Sequence, residues 1–272
     1  MTKSTVLKFQ KTIWDYYRKH GRHALPWRMT HDPYKILVSE IMLQQTQVAR
    51  VIPKYKNFLK AFPTVKKLAN ASVAKVVTEW QGLGYNRRAL NLQKACKKIL
   101  EKYGGSLPPA AAKLLTLPGV GKATAGAVAA YAFNLPEPFI ETNIRRVYIY
   151  HFFKNRKNPV GDNELLPYIY KTLDTKNSRQ WFYALTDYGA QLPKVTENPN
   201  RFSKHYSKQS AFEGSFRQLR GYILKHLSGH GSQTMQKLAK GSGRTLAETK
   251  KAVQQLVAEG FVRIRDSAVM LQ

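Results

Sequence analysis

Two glutamates sit where a carboxyl group is out of character with its neighbours. Glu40 lies within Ser39-Glu40-Ile41-Met42-Leu43-Gln44-Gln45-Thr46-Gln47-Val48, an otherwise apolar stretch. Apolar walls keep water from a carboxyl and disfavour its charged form. Its pKa then rises toward the range of a general acid near neutral pH. Gln44 falls one helical turn further on, with Gln45 and Gln47 beside it. The plain alternative is a solvated glutamate at the edge of a core helix. Glu141 lies in Phe139-Ile140-Glu141-Thr142-Asn143-Ile144-Arg145-Arg146-Val147, after an apolar pair and just ahead of a basic helix. At that helix N-terminus the dipole favours the ionised form. One carboxyl biased neutral and one biased charged are what cleavage of a glycosidic bond through an oxocarbenium-like transition state requires.

A third segment suits phosphate. Leu117-Pro118-Gly119-Val120-Gly121-Lys122-Ala123 separates two helix-like stretches, Ala110–Leu115 and Thr124–Tyr131. Helix, tight Gly-x-Gly turn and helix make a helix-hairpin-helix. Gly119 and Gly121 permit close backbone approach and turn N–H groups outward, and Lys122 adds a cation. Such a turn grips a nucleic-acid backbone without reading its sequence. An ordinary αα turn is the alternative.

The elements that must position these residues are helical. Val6, Phe9, Ile13, Tyr16 and Tyr17 repeat at three and four, a first amphipathic helix closed by Gly21 and Pro26. Asp32-Pro33 opens a second helix through Ile36, Leu37, Ser39, Glu40 and Leu43. Short helices follow, separated by Pro53, Pro63, Gly82 and Gly84, Gly104-Gly105 and Pro108-Pro109. Leu192 to Ser215 is polar and aperiodic, and reads as a long loop into a second unit. There, Phe216–Leu227 patterns as a helix, Thr234 caps a short one, and Thr245-Leu246-Ala247-Glu248 is a capping box. Phe261–Arg265 and Ala268–Leu271 flank Asp266-Ser267 as a hairpin. Three helices and a basic hairpin outline a winged helix-turn-helix, with generic helical packing as the alternative.

Composition narrows the partner. The 272 residues carry 45 Lys+Arg against 16 Asp+Glu, a formal net charge of +29. A chain this basic repels itself unless it meets a polyanion. Nucleic acid is the first candidate, an anionic membrane surface the second, and solubility alone the third. A lone cysteine, Cys96, excludes an internal disulfide framework and a Cys-ligated zinc or iron–sulfur site built by this chain alone. Its helix-like setting reads as a small buried hydrophobe. The seven histidines show no metal spacing, and no metal site is expected. Neither a signal-peptide core nor a membrane span is apparent. A cytoplasmic chain is therefore expected, nucleoid-associated if prokaryotic. Trp80 and Trp181 pattern as core, and Lys66-Lys67 and Lys97-Lys98 as solvated helix faces.

Taken together, Trp27-Arg28, Ser39–Val48, Gly82-Leu83-Gly84-Tyr85, Leu117–Ala125 and Ile140–Val147 resemble the helix-hairpin-helix DNA glycosylases, within them the adenine DNA glycosylases of MutY type. The resemblance covers roughly Trp27 to Ala190, and Leu43–Val48 is its most specific part. It implies that Glu40 protonates the adenine leaving group and that Glu141 stabilises the cationic sugar. It implies further that Gln44, Gln45 and Tyr85 contact or wedge the duplex around a flipped nucleotide, a ring filling the vacated stack. Arg87, Arg88, Gly119, Gly121, Lys122 and Asn143 complete the expected DNA-binding set.

Four departures qualify the match. Glu141 stands where the family has Asp. Ala123 occupies the place of the lysine nucleophile of strand-cutting relatives, with Lys122 one residue off, so no Schiff base is expected. The four-cysteine iron–sulfur loop that follows Asp187-Tyr188-Gly189-Ala190 in relatives is replaced by Gln191–Asn200 without cysteine. The family's C-terminal reader of 8-oxoguanine is replaced by the winged-helix segment. The expected fold is all-α and two-lobed. Residues 1–212 form the glycosylase domain, with a six-helix lobe over 27–135 and a second lobe from 1–26 plus 136–212, and a DNA groove between the lobes. Residues 213–272 form the winged helix. The expected function is monofunctional excision of a mispaired base from double-stranded DNA, most specifically adenine opposite 8-oxoguanine or guanine. A uracil or thymine mismatch glycosylase and a non-catalytic damaged-DNA-binding protein are the alternatives. A monomer without cofactor is expected, with a monovalent ion at the hairpin left open.

Overall fold

A computed structural model describes residues 1–209 and 211–272 of the chain. Helices carry about two thirds of it and strands little, as the periodicity predicts. In chain order they are α1 (Lys3–His20), α2 (Pro33–Leu43), α3 (Val48–Ala61), α4 (Val65–Ala69), α5 (Val73–Trp80), α6 (Arg87–Tyr103) and α7 (Ala111–Leu114). There follow α8 (Lys122–Phe133), α9 (Thr142–Tyr148), α10 (Asp162–Thr172), α11 (Ser178–Val195), α12 (Phe216–His230), α13 (Met235–Ser242) and α14 (Leu246–Ala258). Strands β1 (Gln233–Thr234), β2 (Val262–Arg265) and β3 (Ala268–Leu271) form one antiparallel sheet in the order β1-β3-β2. Two compact units result, one of residues 1–40, 107–116 and 120–208, the other of 41–106, 117–119 and 209–272.

The first unit is organised around α8 and α11. Helix α8 is buried on every side, from Thr124 to Ala132, and its small residues suit a helix enclosed by others. Gly126 admits Phe139, since a Cβ there would stand 2.5 Å from the Phe139 Cβ. Phe9 on α1 gathers Tyr148, Phe152 and Trp181 around it at ring separations of 5.0–6.0 Å. Trp181, Phe182 and Leu185 of α11 are fully buried beside Ile144 and Val147 of α9. The contact of α9 with α11 is closest at Gly189, where a Cβ would lie 2.2 Å from the Asn143 backbone oxygen.

In the second unit a single apolar cluster joins the middle of the chain to its end. Val77 of α5 and Leu90 of α6 pack with Leu219, Ile223, Leu224 and Leu227 of α12, Val253 and Leu256 of α14, and Phe261 and Val269. Around this cluster, the Ala74 N–H donates to the Gln272 carbonyl at 2.9 Å. Glu259 accepts from both Arg87 (2.6 Å) and Arg220 (2.7 Å). Trp80 and Trp181 are core residues as predicted, each 0% exposed.

Three local expectations need correction. Pro53 does not separate helices but lies inside α3, where burial of Val51, Tyr55 and Phe58 on one face outweighs the lost backbone bond. Helix α11 continues through Pro193 to Val195, four residues into the segment read as loop, because Leu192 is still buried. Strand β1 escaped notice because two residues carry no period; pairing with β3 makes it a strand.

Gly189→Ala forces α11 away from α9. We expect a loss of about 1–3 kcal/mol, read as a lower denaturation midpoint, whereas Gly221→Ala, with open space around it, leaves the midpoint unchanged or raised.

Candidate active site

Glu40 is carried by α2, which Asp32 starts by accepting from the N–H groups of Tyr34 (2.9 Å) and Lys35 (3.3 Å). Ile36, Leu37, Val38, Ile41 and Met42 of the same helix are buried. Glu40 keeps part of its surface exposed but is densely surrounded by protein. Burial pushes its carboxyl up to about 8, the negative charge of Glu141 adds to the rise, and the Arg28 guanidinium opposes it. At neutral pH it therefore holds its proton, as the apolar stretch predicts.

Arg28 is restrained by a partner the sequence reading did not name. Asp187 on α11 accepts both Arg28 terminal nitrogens, at 2.7 and 2.8 Å, in a bidentate pair whose side chains are 5% and 2% exposed. Arg22 adds its Nε at 2.6 Å and its backbone N–H at 2.8 Å to the same carboxylate. Burial raises the Asp187 carboxyl, but the bonds and charges of Arg28 and Arg22 outweigh it and hold it below the ordinary value. The Arg28 guanidinium also lies 4.3 Å from the Tyr183 ring centre. Arg28, paired with Asp187, acts on Glu40 less than burial or Glu141 does.

Glu141 is the N-cap of α9. Its Oε1 accepts the N–H groups of Asn143 and Ile144, each at 2.8 Å, and its Oε2 accepts Asn143 Nδ2 at 3.1 Å. The expectation that the helix terminus alone keeps Glu141 ionised needs revision. Burial is the largest influence and raises its carboxyl; the two N–H bonds, Arg146 and Arg145 offset part of the rise. The charge still falls to Glu141 in the pair, since it has helix donors and arginines where Glu40 has apolar walls. Asn143 does not face outward alone: its carbonyl oxygen accepts from Arg146 at 2.8 Å, tying the Glu141 cap into the helix.

The loops at 43–47 and 82–85 are held by Arg88. Its guanidinium donates to the carbonyls of Ile41 (2.9 Å), Met42 (2.8 Å), Leu83 (3.2 Å) and Gly84 (3.0 Å), to the Gln44 carbonyl and to Thr46 Oγ1 (2.9 Å). Arg88, placed in the expected DNA-binding set, faces inward instead. Only 9% exposed, it satisfies backbone oxygens, and burial lowers its pKa to about 10, still well above neutral. Its neighbour Arg87 is exposed but paired with Glu259. Gln45 (φ 54°) and Tyr85 (φ 47°) both adopt the left-handed conformation, a cost of roughly 1–3 kcal/mol each. Tyr85 remains 38% exposed. Gln44 donates to the Gly119 carbonyl at 3.5 Å.

In the hairpin, Gly119 takes φ +77° and lies against Asn91, where a Cβ would meet the Asn91 Cβ at 2.7 Å. Gly121 caps α8 with nothing within 4 Å of its missing side chain, and Lys122 is exposed.

A four-thiolate cluster does not fit this chain. Cys96 is buried in α6 with its thiol pushed up to about 12, and among the described residues no group of three or more His, Cys, Asp or Glu is gathered for a metal. Residues 196–204 are held instead by hydrogen bonds. Asn198 accepts from Arg146 at 3.2 Å, Asn200 donates to the Thr142 carbonyl at 3.1 Å, and Val160 exchanges backbone bonds with Phe202 (2.7 Å) and Lys204 (3.0 Å). Both asparagines thereby brace α9 and its capping Glu141.

The raised carboxyl of Glu40 carries a stability cost. An unfolded chain releases this proton near 4.5 and the folded chain near about 8, so stability falls as pH rises through that window. Glu40→Gln removes the cost. We expect the variant to exceed the wild type by about 1–2 kcal/mol above the window, after allowance for partial exposure. Thermal melts should converge below it.

Residues 38–165 match the HhH-GPD superfamily base excision DNA repair protein family. An adenine DNA glycosylase of Buchnera aphidicola subsp. Baizongia pistaciae is 35% identical over 226 residues, covering 81% of this chain and 64% of that protein. The adenine DNA glycosylase of Homo sapiens is 40% identical over 151 residues, 52% of this chain and 28% of that one. The chain thus spans less than two thirds of these relatives' length. A thermostable thymine-DNA glycosylase superposes with TM-score 0.63 at 24% identity, over 73% of this chain and 92% of that one, a likeness of fold. The hairpin and both glutamates lie inside the matched segment, over which the chain is similar to the HhH-GPD superfamily of base excision DNA repair proteins.

Proposed function

We propose that the protein is a monofunctional DNA N-glycosylase that removes adenine mispaired with 8-oxoguanine or guanine from double-stranded DNA. The observation that carries this reading is the carboxyl pair: Glu40 raised to about 8 beside a Glu141 seated on helix N–H groups. Glu40 donates its proton to a ring nitrogen of the extruded adenine, which makes the base a neutral leaving group. The C1′–N bond breaks, the sugar takes up positive charge, and the Glu141 carboxylate stabilises it. Water adds to C1′ and its released proton returns to the Glu40 carboxylate, leaving an abasic site and free adenine.

The DNA-facing roles follow the same logic. The hairpin from Gly119 to Lys122 and the α8 N-terminus hold phosphates. Tyr85 enters the stack vacated by the base, with Gln44 and Gln45 beside it. Arg87 reaches the backbone from its exposed position, and Asn143 serves through Glu141. Ala123 offers no amine for a Schiff base, which supports hydrolysis without strand cleavage. The adenine preference rests on the relatives' activity and on Leu43–Val48. We read residues 213–272 as a winged helix and the working protein as a monomer that needs no iron–sulfur cluster.

A duplex panel with A opposite 8-oxoguanine, A opposite G, T opposite G and U opposite G, followed by alkali, tests the proposal. Alkali-labile sites are expected on the two adenine duplexes and no cleavage without alkali; release of only thymine or uracil overturns the base assignment, and no release from any duplex overturns the enzyme. Glu40→Gln should slow single-turnover excision about 10²–10⁴-fold with duplex binding retained. The active form is protonated, so wild-type excision should decline as pH rises past about 8.

Glu141→Asp keeps a carboxylate of the kind favoured at an N-cap and should excise within about tenfold of wild type. Glu141→Ala loses the cap, about 1 kcal/mol of stability, together with nearly all excision. Equal loss in both variants would show that the longer arm itself is required.

A further inference from the structure

The C-terminal part of the chain reaches the two residues that hold strained backbone on the DNA-facing loops. Gln209 donates its side-chain amide to Gln45 Oε1 at 3.5 Å, and Arg217, at the start of α12, donates to the Tyr85 hydroxyl at 3.3 Å. Arg88 packs near the same ring, 5.4 Å from its centre. These contacts are not casual. Helix α12 is locked to α5 and α6 by the shared apolar cluster, and the Arg87–Glu259–Arg220 ion pairs tie the same surfaces together. Arg217 is half-buried, so its guanidinium is directed rather than free in solvent.

Extruding one nucleotide leaves its partner on the other strand unpaired, with the hydrogen-bonding edge open. A ring inserted beside that partner brings whatever borders the ring against the open edge. Here a guanidinium borders the ring, and two carboxamides meet at the neighbouring strained residue Gln45. A guanidinium fork matches the adjacent O6 and N7 acceptors of guanine, which no pyrimidine presents. A carboxamide supplies one donor and one acceptor and suits the altered edge of 8-oxoguanine equally.

We propose that Arg217, assisted by Gln209 and Gln45, reads the base left unpaired opposite the excised one and selects a guanine-type purine there. The proposal rests on the reading of Tyr85 as the inserted ring. It assigns to the C-terminal segment the specificity that the chemistry at Glu40 cannot supply, because the acid meets only the extruded base.

The test separates recognition from chemistry. Full-length protein is titrated against duplexes carrying a tetrahydrofuran abasic analogue opposite dG, 8-oxo-dG, dC or dT, with binding followed by fluorescence anisotropy. Wild type is expected to favour dG and 8-oxo-dG over dT by about tenfold or more. Arg217→Ala should compress that ratio to within about threefold while binding opposite dT barely changes. Arg217→Lys keeps the charge without the fork; it should likewise lose the ratio, and it carries the test should the alanine variant not fold. A wild type indifferent to the opposite base overturns the proposal. So does an Arg217→Ala variant that weakens all four duplexes equally, the mark of a phosphate or packing role. None of these titrations requires excision, so failure of the glycosylase reading is seen separately in the alkali assay.

Discussion

A carboxyl that keeps its proton at neutral pH must not be dominated by a nearby cation, and in this protein the cation that opposes the rise at Glu40, Arg28, is itself paired with Asp187. Left unmatched in an interior setting it would draw charge onto any carboxyl nearby. Asp187 instead takes both guanidinium nitrogens, and Arg22 completes the shell of that carboxylate. The cost of burying the pair is met by bidentate geometry and by the Tyr183 ring face. The remaining influences on Glu40, burial and the charge of Glu141, act in one direction. Everything the proposed chemistry asks of an acid follows from that arrangement.

The second carboxyl shows how the same helix terminus can do two jobs. Glu141 caps α9 through Oε1 and is steadied through Oε2 by Asn143, which Arg146 holds in turn. A longer arm than aspartate folds back onto its own helix and still reaches two N–H groups. The bracing by Asn198 and Asn200 matters here. It joins the segment after α11 to α9 with amide hydrogen bonds. Gly189 serves the same end from the other side, because only a residue without a side chain lets α11 come so near the Asn143 carbonyl.

Arg88 illustrates a different economy. Two loops with left-handed residues at Gln45 and Tyr85 are strained on their own. A single buried guanidinium bonded to carbonyls from both loops gives them a common anchor. The charge is retained because burial lowers the guanidinium only to about 10, well above neutral. That placement leaves Arg88 facing the loops, whereas Arg87, one residue earlier and on the outside, pairs with Glu259.

By itself the sequence determined what is local. Helical period, the caps at Asp32, Thr234 and Thr245, the Gly-x-Gly turn, and the apolar company of Glu40 all depend on residues a turn or two apart, where spacing alone sets geometry. The core tryptophans and the hairpin were legible for the same reason. Tertiary structure decided what depends on distant partners. Arg28 meets Asp187 across 159 positions, and Arg217 meets Tyr85 across 132. No period or motif links such residues; only the packing of α11, or of α12 on α5, brings them together. Burial works in the same way. It turned Glu141 upward against its helix dipole and turned Arg88 inward, because desolvation is set by all the surrounding chain and not by its neighbours in sequence.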